Sequence, residues 1–158
     1  MIRLTLPMLM VAIVVAAQAP TQETTIKTSH FTLRVPLTEA GIERGLMGVR
    51  DIPSGTGMVF DLGPGQEAWF WMRNCLTSMD MVFLDENGKV QGIVAAFPPP
   101  TSGDGPFYTA NGPRYSRWWG PSVPKTRYVV EVRLGEGQAF AKTDAAEIPS
   151  RHPGRKDL

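Results

Sequence analysis

The side chains in this sequence that could do chemistry fall into four groups. The first is a pair of carboxylates, Asp80 and Glu131. Asp80 lies in Met79-Asp80-Met81-Val82-Phe83, with apolar neighbours on both sides, and a carboxylate in such a setting needs a partner or a raised pKa. Asn74, Arg50, Arg73 or the backbone amides of residues 73–78 would supply that partner, and Asp80 would then tie down the turn. Paired with Glu131 instead, it would form a dyad for general acid–base work of the kind used in glycoside cleavage. The second group is Arg50 and Arg73, whose guanidinium forks suit a carboxylate or phosphate. The third is Trp69, Trp71, Trp118 and Trp119, which supply either the aromatic wall of a small-molecule or sugar pocket or ordinary sheet-face packing. The fourth is Met72, Met79, Met81 and Cys75, whose thioethers and thiol are the ligand types that select copper(I), although methionine is also the usual filler of irregular cores.

Other chemistries lack their parts. The two histidines, His30 and His152, cannot complete a zinc tetrad with the single cysteine. There is no Gly-x-Ser-x-Gly elbow, no evident base for Cys75 and no glycine-rich phosphate loop after a strand. No cofactor is implied and no metal ligand set is assigned. With 16 Lys and Arg against 15 Asp and Glu, the chain has no basic footprint for nucleic acid.

These side chains need elements to hold them. Met1-Ile2-Arg3, the apolar run Leu4 to Ala17 and the small residues that follow read as a signal peptide over 1–19, cleaved after Ala17 or Ala19. Export to the periplasm or the exterior is therefore expected, with membrane contact only through that peptide if it is uncleaved. Cys75 is the only cysteine, so a mature domain would rely on packing rather than an internal disulfide. Residues 20–29 read as a flexible lead-in, 30–148 as one β domain, and 149–158 as a polar tail. Alternation marks strands at His30 to Pro36 and Arg127 to Leu134. Met79 to Leu84, apolar on both faces except for Asp80, reads as a central strand. Met58 to Leu62, Ala68 to Met72, Val90 to Ala95 and a stretch around Gln138 to Lys142 read as further short strands bounded by turns. Thr38 caps a short helix over Glu39 to Arg44, which Gly45 stops. Gly63-Pro64-Gly65 reads as a turn and Asn87-Gly88 as a tight hairpin. The Pro- and Gly-rich stretch 97–124 reads as a covering loop over one end of the domain. The expectation is an all-β (mainly β) fold, a compact antiparallel sandwich or jelly-roll-like barrel with one short helix and no βαβ alternation.

The ordered set Gly45-Leu46-Met47, Arg50, Gly57-Met58-x-Phe60, Trp71-Met72-Arg73-Asn74, Asp80-x-x-Phe83 and Val130-Glu131 resembles a bacterial and archaeal family known as domain of unknown function number 192. The resemblance covers roughly residues 31 to 143, with the Pro-rich loop as a poorly matched insert. It implies a small all-β, jelly-roll-like domain, often behind a signal peptide, and no assigned activity. Two departures stand out: Asn74-Cys75 where the family usually has Asn-Thr, and Ser78-Met79-Asp80 where it has Pro-Leu-Asp.

Together these readings point to a non-enzymatic envelope domain that binds a small molecule, a glycan or a protein partner beside the 71–80 turn. Arg50, Arg73, Asn74, Asp80 and Glu131 are the polar candidates, with Trp71, Trp118 and Trp119 as stacking surfaces. An envelope-acting enzyme using the carboxylate pair, or a copper(I)-handling protein, are the alternatives.

Overall fold

The structure is a computed structural model that describes residues 22–99, 105–115 and 122–151. The signal-peptide segment 1–19, Trp118, Trp119 and the end of the tail lie outside the described residues. The chain is mainly β. Its strands are β1 (Glu23–Lys27), β2 (Thr32–Pro36), β3 (Thr56–Glu67), β4 (Phe70–Trp71), β5 (Met79–Leu84), β6 (Val90–Ala96), β7 (Phe107–Thr109), β8 (Gly112–Arg114) and β9 (Lys125–Arg133). A six-stranded sheet runs in the order β1-β2-β3-β9-β5-β6, and a three-stranded sheet in the order β4-β7-β8.

Several elements follow directly from local chemistry. Every residue of β5 is buried, as expected of an apolar strand held between two neighbours, β6 and β9. The hairpin at Asn87-Gly88 closes with Gly88 N–H donating to the Asp85 carbonyl at 3.1 Å. Helix α1 (Glu39–Arg44) is capped by Thr38, whose hydroxyl accepts from Gly41 N–H at 3.1 Å, and it ends at Gly45 with φ at 47°.

The purely antiparallel sandwich or barrel is corrected in several ways. Strand β2 runs parallel to β3 with α1 between them, a βαβ-like crossover, so the large sheet is mixed. The described strands do not close into a barrel, because β1 and β6 are separate edges. Residues Glu23–Lys27, expected as part of a flexible lead-in, pair with β2. Gly63-Pro64-Gly65 is an irregularity within the long strand β3 rather than a turn between strands. The segment expected as a final strand is a 3₁₀ turn (Gly137–Ala139) followed by a π-helical turn (Phe140–Asp144), which leads into α2 (Ala145–Arg151). The Pro- and Gly-rich stretch carries the β7–β8 hairpin, which Tyr108 anchors by accepting from Phe97 N–H at 3.1 Å.

The large sheet has a core on each face. Phe140, Ala145 and Ile148 of the C-terminal helical segment cover Val59, Val82, Val130 and Val132 on one side. On the other, Leu46, Ala68, Met72, Tyr108 and Ala110 cover Met58, Phe60, Met81, Phe83 and Val129. This second face carries the candidate site.

Candidate functional site

Glu131 lies on β9 opposite Met58 of β3 and Met81 of β5. Side chains alternate along a strand, so Glu131 shares the face of Met58, Met81 and Val129, while Val130 and Val132 point into the other core. It is 5% exposed, and among the described residues no hydrogen bond or ion pair reaches its carboxylate. Burial pushes its pKa from the ordinary 4.5 up to about 8. The dominant cause is loss of hydration of the charged form.

Two segments roof this carboxylate. The turn after α1 brings Gly45, Leu46 and Met47; the turn after β4 brings Cys75. They are laced together: Gly48 N–H donates to the Asn74 carbonyl at 2.9 Å and Cys75 N–H to the Met72 carbonyl at 3.1 Å. Asn74 takes a left-handed conformation, φ 56°, which asparagine tolerates better than most residues. With Phe60, Phe70 and Trp71 as walls, a pocket of about 30 Å³ remains over Glu131. That is room for a water or a single ion. A side chain at Gly45 would intrude, since a Cβ there would lie 3.3 Å from Phe60 and 3.8 Å from a Glu131 carboxylate oxygen. Burial, and then the nearby Glu131 charge, push the Cys75 thiol up to about 12.

Asp80 does not join this site. It pairs in register with Val132, so its side chain faces the opposite side of the sheet from Glu131. There it accepts from Gly135 N–H at 2.9 Å and Gly137 N–H at 2.8 Å. It ties down the turn after β9, not the 73–78 turn named as its expected partner, and a carboxylate dyad with Glu131 cannot form across the sheet. Arg73 and Asn74 are exposed on the turn after β4, and the Arg73 guanidinium lies 5.7 Å from the Trp71 ring. Arg50 is exposed just beyond Gly48, so the Gly48–Asn74 bond sets its loop beside that of Arg73. Trp69 packs edge-on to Phe107 and carries Arg114 at 5.4 Å. Of the expected soft-ligand group, Cys75 reaches the pocket, whereas Met72 and Met79 are fully buried core residues. The sequence reading missed Met47, Phe60 and Phe70 as pocket walls. Gly57-Met58-x-Phe60 and Gly45-Leu46-Met47 were visible as motifs, but not as neighbours of Glu131.

A larger cleft, about 430 Å³, lies on the other side of the sheet beside His30, Ser54, Glu136 and Lys142. Its main polar groups are already paired. His30 Nδ1 lies 2.8 Å from the buried Asp144 carboxylate, and Glu136 accepts from Gly55 N–H at 3.1 Å. Asp144 also accepts from Thr28 Oγ1 and from His30 N–H. Burial raises its pKa, but these hydrogen bonds outweigh burial and hold it below the usual 3.8. No local signal marked this pair, because its members are 114 positions apart. Size favours this cleft, but the unpaired buried acid lies in the small pocket, and the chemistry follows the acid.

The chain matches the family model for domain of unknown function 192, an uncharacterized ACR, over residues 21–144, and it belongs to that family. Comparison with curated proteins finds no match. Among solved structures, it is similar to a protein of unknown function from Novosphingobium aromaticivorans at 24% identity, with a TM-score of 0.51 and coverage of 85% of this chain and 87% of that one. It is also similar to a proposed transcription regulator from Sinorhizobium meliloti at 23% identity and a TM-score of 0.51, covering 81% of this chain and 94% of that one. These likenesses concern the fold.

Proposed function

We propose that the chain is a non-enzymatic binding domain of the cell envelope that holds a small cationic group over Glu131. The observation that carries this reading is the Glu131 carboxylate itself, 5% exposed and opening onto a pocket of about 30 Å³. A buried acid without a partner destabilises the fold unless something compensates it, and perturbed acids of this kind cluster at functional sites. An incoming positive charge would restore the missing partner. The size of the pocket restricts what enters to a single ion or the tip of a longer molecule. Such a molecule, a glycan or an envelope component, would lie across Trp71 and Arg73. Export, read from the first 19 residues, is part of the proposal.

The deciding experiment is native mass spectrometry on untagged protein secreted by its own host, compared with Glu131→Gln prepared in the same way. The reading expects a stoichiometric non-covalent mass on the wild type and its loss in the variant. A clean apo mass for both would refute it. A carboxylate-pair enzyme is not favoured, because Asp80 and Glu131 are separated by the sheet.

A further inference from the structure

We propose that the cation held over Glu131 is a soft monovalent metal ion, copper(I) or silver(I), bound by the Cys75 thiolate and the Met47 thioether, with the Glu131 carboxylate balancing its charge. This rests on the reading of Glu131 as a cation-binding group.

Three observations carry it. The pocket lining includes two sulfur-bearing side chains, Met47 and Cys75, and one buried carboxylate, with Glu43 and Arg44 exposed at its rim. The Met47 sulfur accepts from the Asn74 amide at 3.9 Å, a weak bond that an ion would displace. Two soft donors with an anionic oxygen suit a low-coordinate d¹⁰ monovalent ion. Calcium and magnesium need six or more oxygen ligands, and Glu131 is the only carboxylate among the pocket walls that is buried. Zinc favours four ligands drawn from cysteine, histidine and carboxylate, and no histidine lines the pocket. Second, a volume of about 30 Å³ accommodates one ion but not an organic cation. Third, the surroundings are soft. Met58 and Met81 flank Glu131 as its register neighbours, and Trp71, whose ring lies 5.7 Å from the Arg73 guanidinium, lines the pocket.

Binding exchanges protons for metal. The Cys75 S–H bond breaks, a sulfur–metal bond forms and the thiol proton leaves to solvent. No electron is transferred, since the ion enters in the monovalent state. Glu131 takes part as the carboxylate, and any proton it carries also leaves to solvent.

The test uses the full mature chain. Copper(I) is offered as its bicinchoninate complex under anaerobic conditions, and silver(I) is offered in chloride-free buffer. The expected results are removal of one equivalent of copper(I), at least a tenfold weaker competition by Met47→Leu, and none by Cys75→Ala. Silver(I) should also slow maleimide labelling of wild-type Cys75 at least tenfold. That measurement needs no variant and so does not depend on a mutant folding. Unchanged labelling, or Cys75→Ala competing as well as wild type, overturns the proposal. A Glu131-dependent organic mass on the host-secreted protein, with no silver protection, would sink the metal assignment and leave the cation-binding reading standing. A clean apo mass with no silver protection would end both.

Discussion

Replacing Glu131 with glutamine removes one ionisable proton and preserves shape, so it isolates the energetic consequence of burying the acid. In the folded chain the group titrates at about 8 against an ordinary 4.5. A carboxyl whose folded pKa is raised binds more protons folded than unfolded between those values. Its stability contribution is therefore intact below pH 4.5 and is progressively lost as pH rises towards 8. At 1.36 kcal/mol per pKa unit, the loss between pH 5 and pH 8 is about 3 to 4 kcal/mol. Urea unfolding of wild type and Glu131→Gln across that range should show the variant gaining stability relative to wild type by about this amount as pH rises. For a domain near 10 kcal/mol of total stability, this is readily measured from the transition midpoints. A gap that changes by less than about 1 kcal/mol over the range would show that Glu131 is hydrated or partnered when folded, and the argument for a cation site would fail.

Asp144 has the opposite sign. Its folded pKa lies below 3.8, so its contribution is present above that value and lost as pH falls through the folded pKa. The stability gap between wild type and Asp144→Asn should therefore shrink steadily on acidification below pH 4, and a constant gap would contradict it. Asp80→Ala leaves two backbone N–H groups without their acceptor and should cost about 3 kcal/mol in urea unfolding; a loss under about 1 kcal/mol would show that the turn after β9 does not need it. Gly45→Ala places a Cβ against Phe60 in a left-handed conformation. It should cost about 1 to 2 kcal/mol while abolishing any mass or metal held at Glu131, and retention of that ligand would place the site elsewhere.

Much of the fold was legible because its signals are local. Alternation gave β2 and β9, a run apolar on both faces except for Asp80 gave β5, Asn87-Gly88 gave the β5–β6 hairpin, and Thr38 and Gly45 bounded α1. What stayed hidden depends on distant partners. The parallel pairing of β2 with β3 is set across the sheet, not within either strand. The β7–β8 hairpin has three-residue strands in proline- and glycine-rich sequence, and tertiary contacts hold it. A Cβ on Gly92 would lie 2.1 Å from the Ala110 carbonyl oxygen, so the hairpin presses directly on β6. Gln138 to Lys142 is expected as a strand after the Gly135-Glu136-Gly137 turn, yet Gly135 and Gly137 N–H both donate to Asp80 and the chain continues as a 3₁₀ turn into helix. At the site, the side of β9 that Glu131 occupies was readable from alternation. That Asp80 faces away from it was not, because the relation depends on the register between β5 and β9.

The buried carboxylates of this domain act as controls for one another. Asp61, Asp80, Glu131 and Asp144 are all less than a tenth exposed. Asp61 receives the Arg127 guanidinium and Gly63 N–H, Asp80 two backbone amides, and Asp144 the Thr28 hydroxyl and two groups of His30. In each case donors offset the lost hydration, and each carboxylate ties separate stretches of chain together, a structural role sufficient to explain it. Glu131 has no such donor among the described residues and pins nothing. At pH 7 its burial costs about 3 kcal/mol, an appreciable share of the stability of a domain this size. Methionine at this position would remove that cost without introducing a polar group in need of a partner. Three buried acids have partners among the described residues and the fourth has none there, with an ion-sized space above it; that contrast is the ground for the cation site proposed at Glu131.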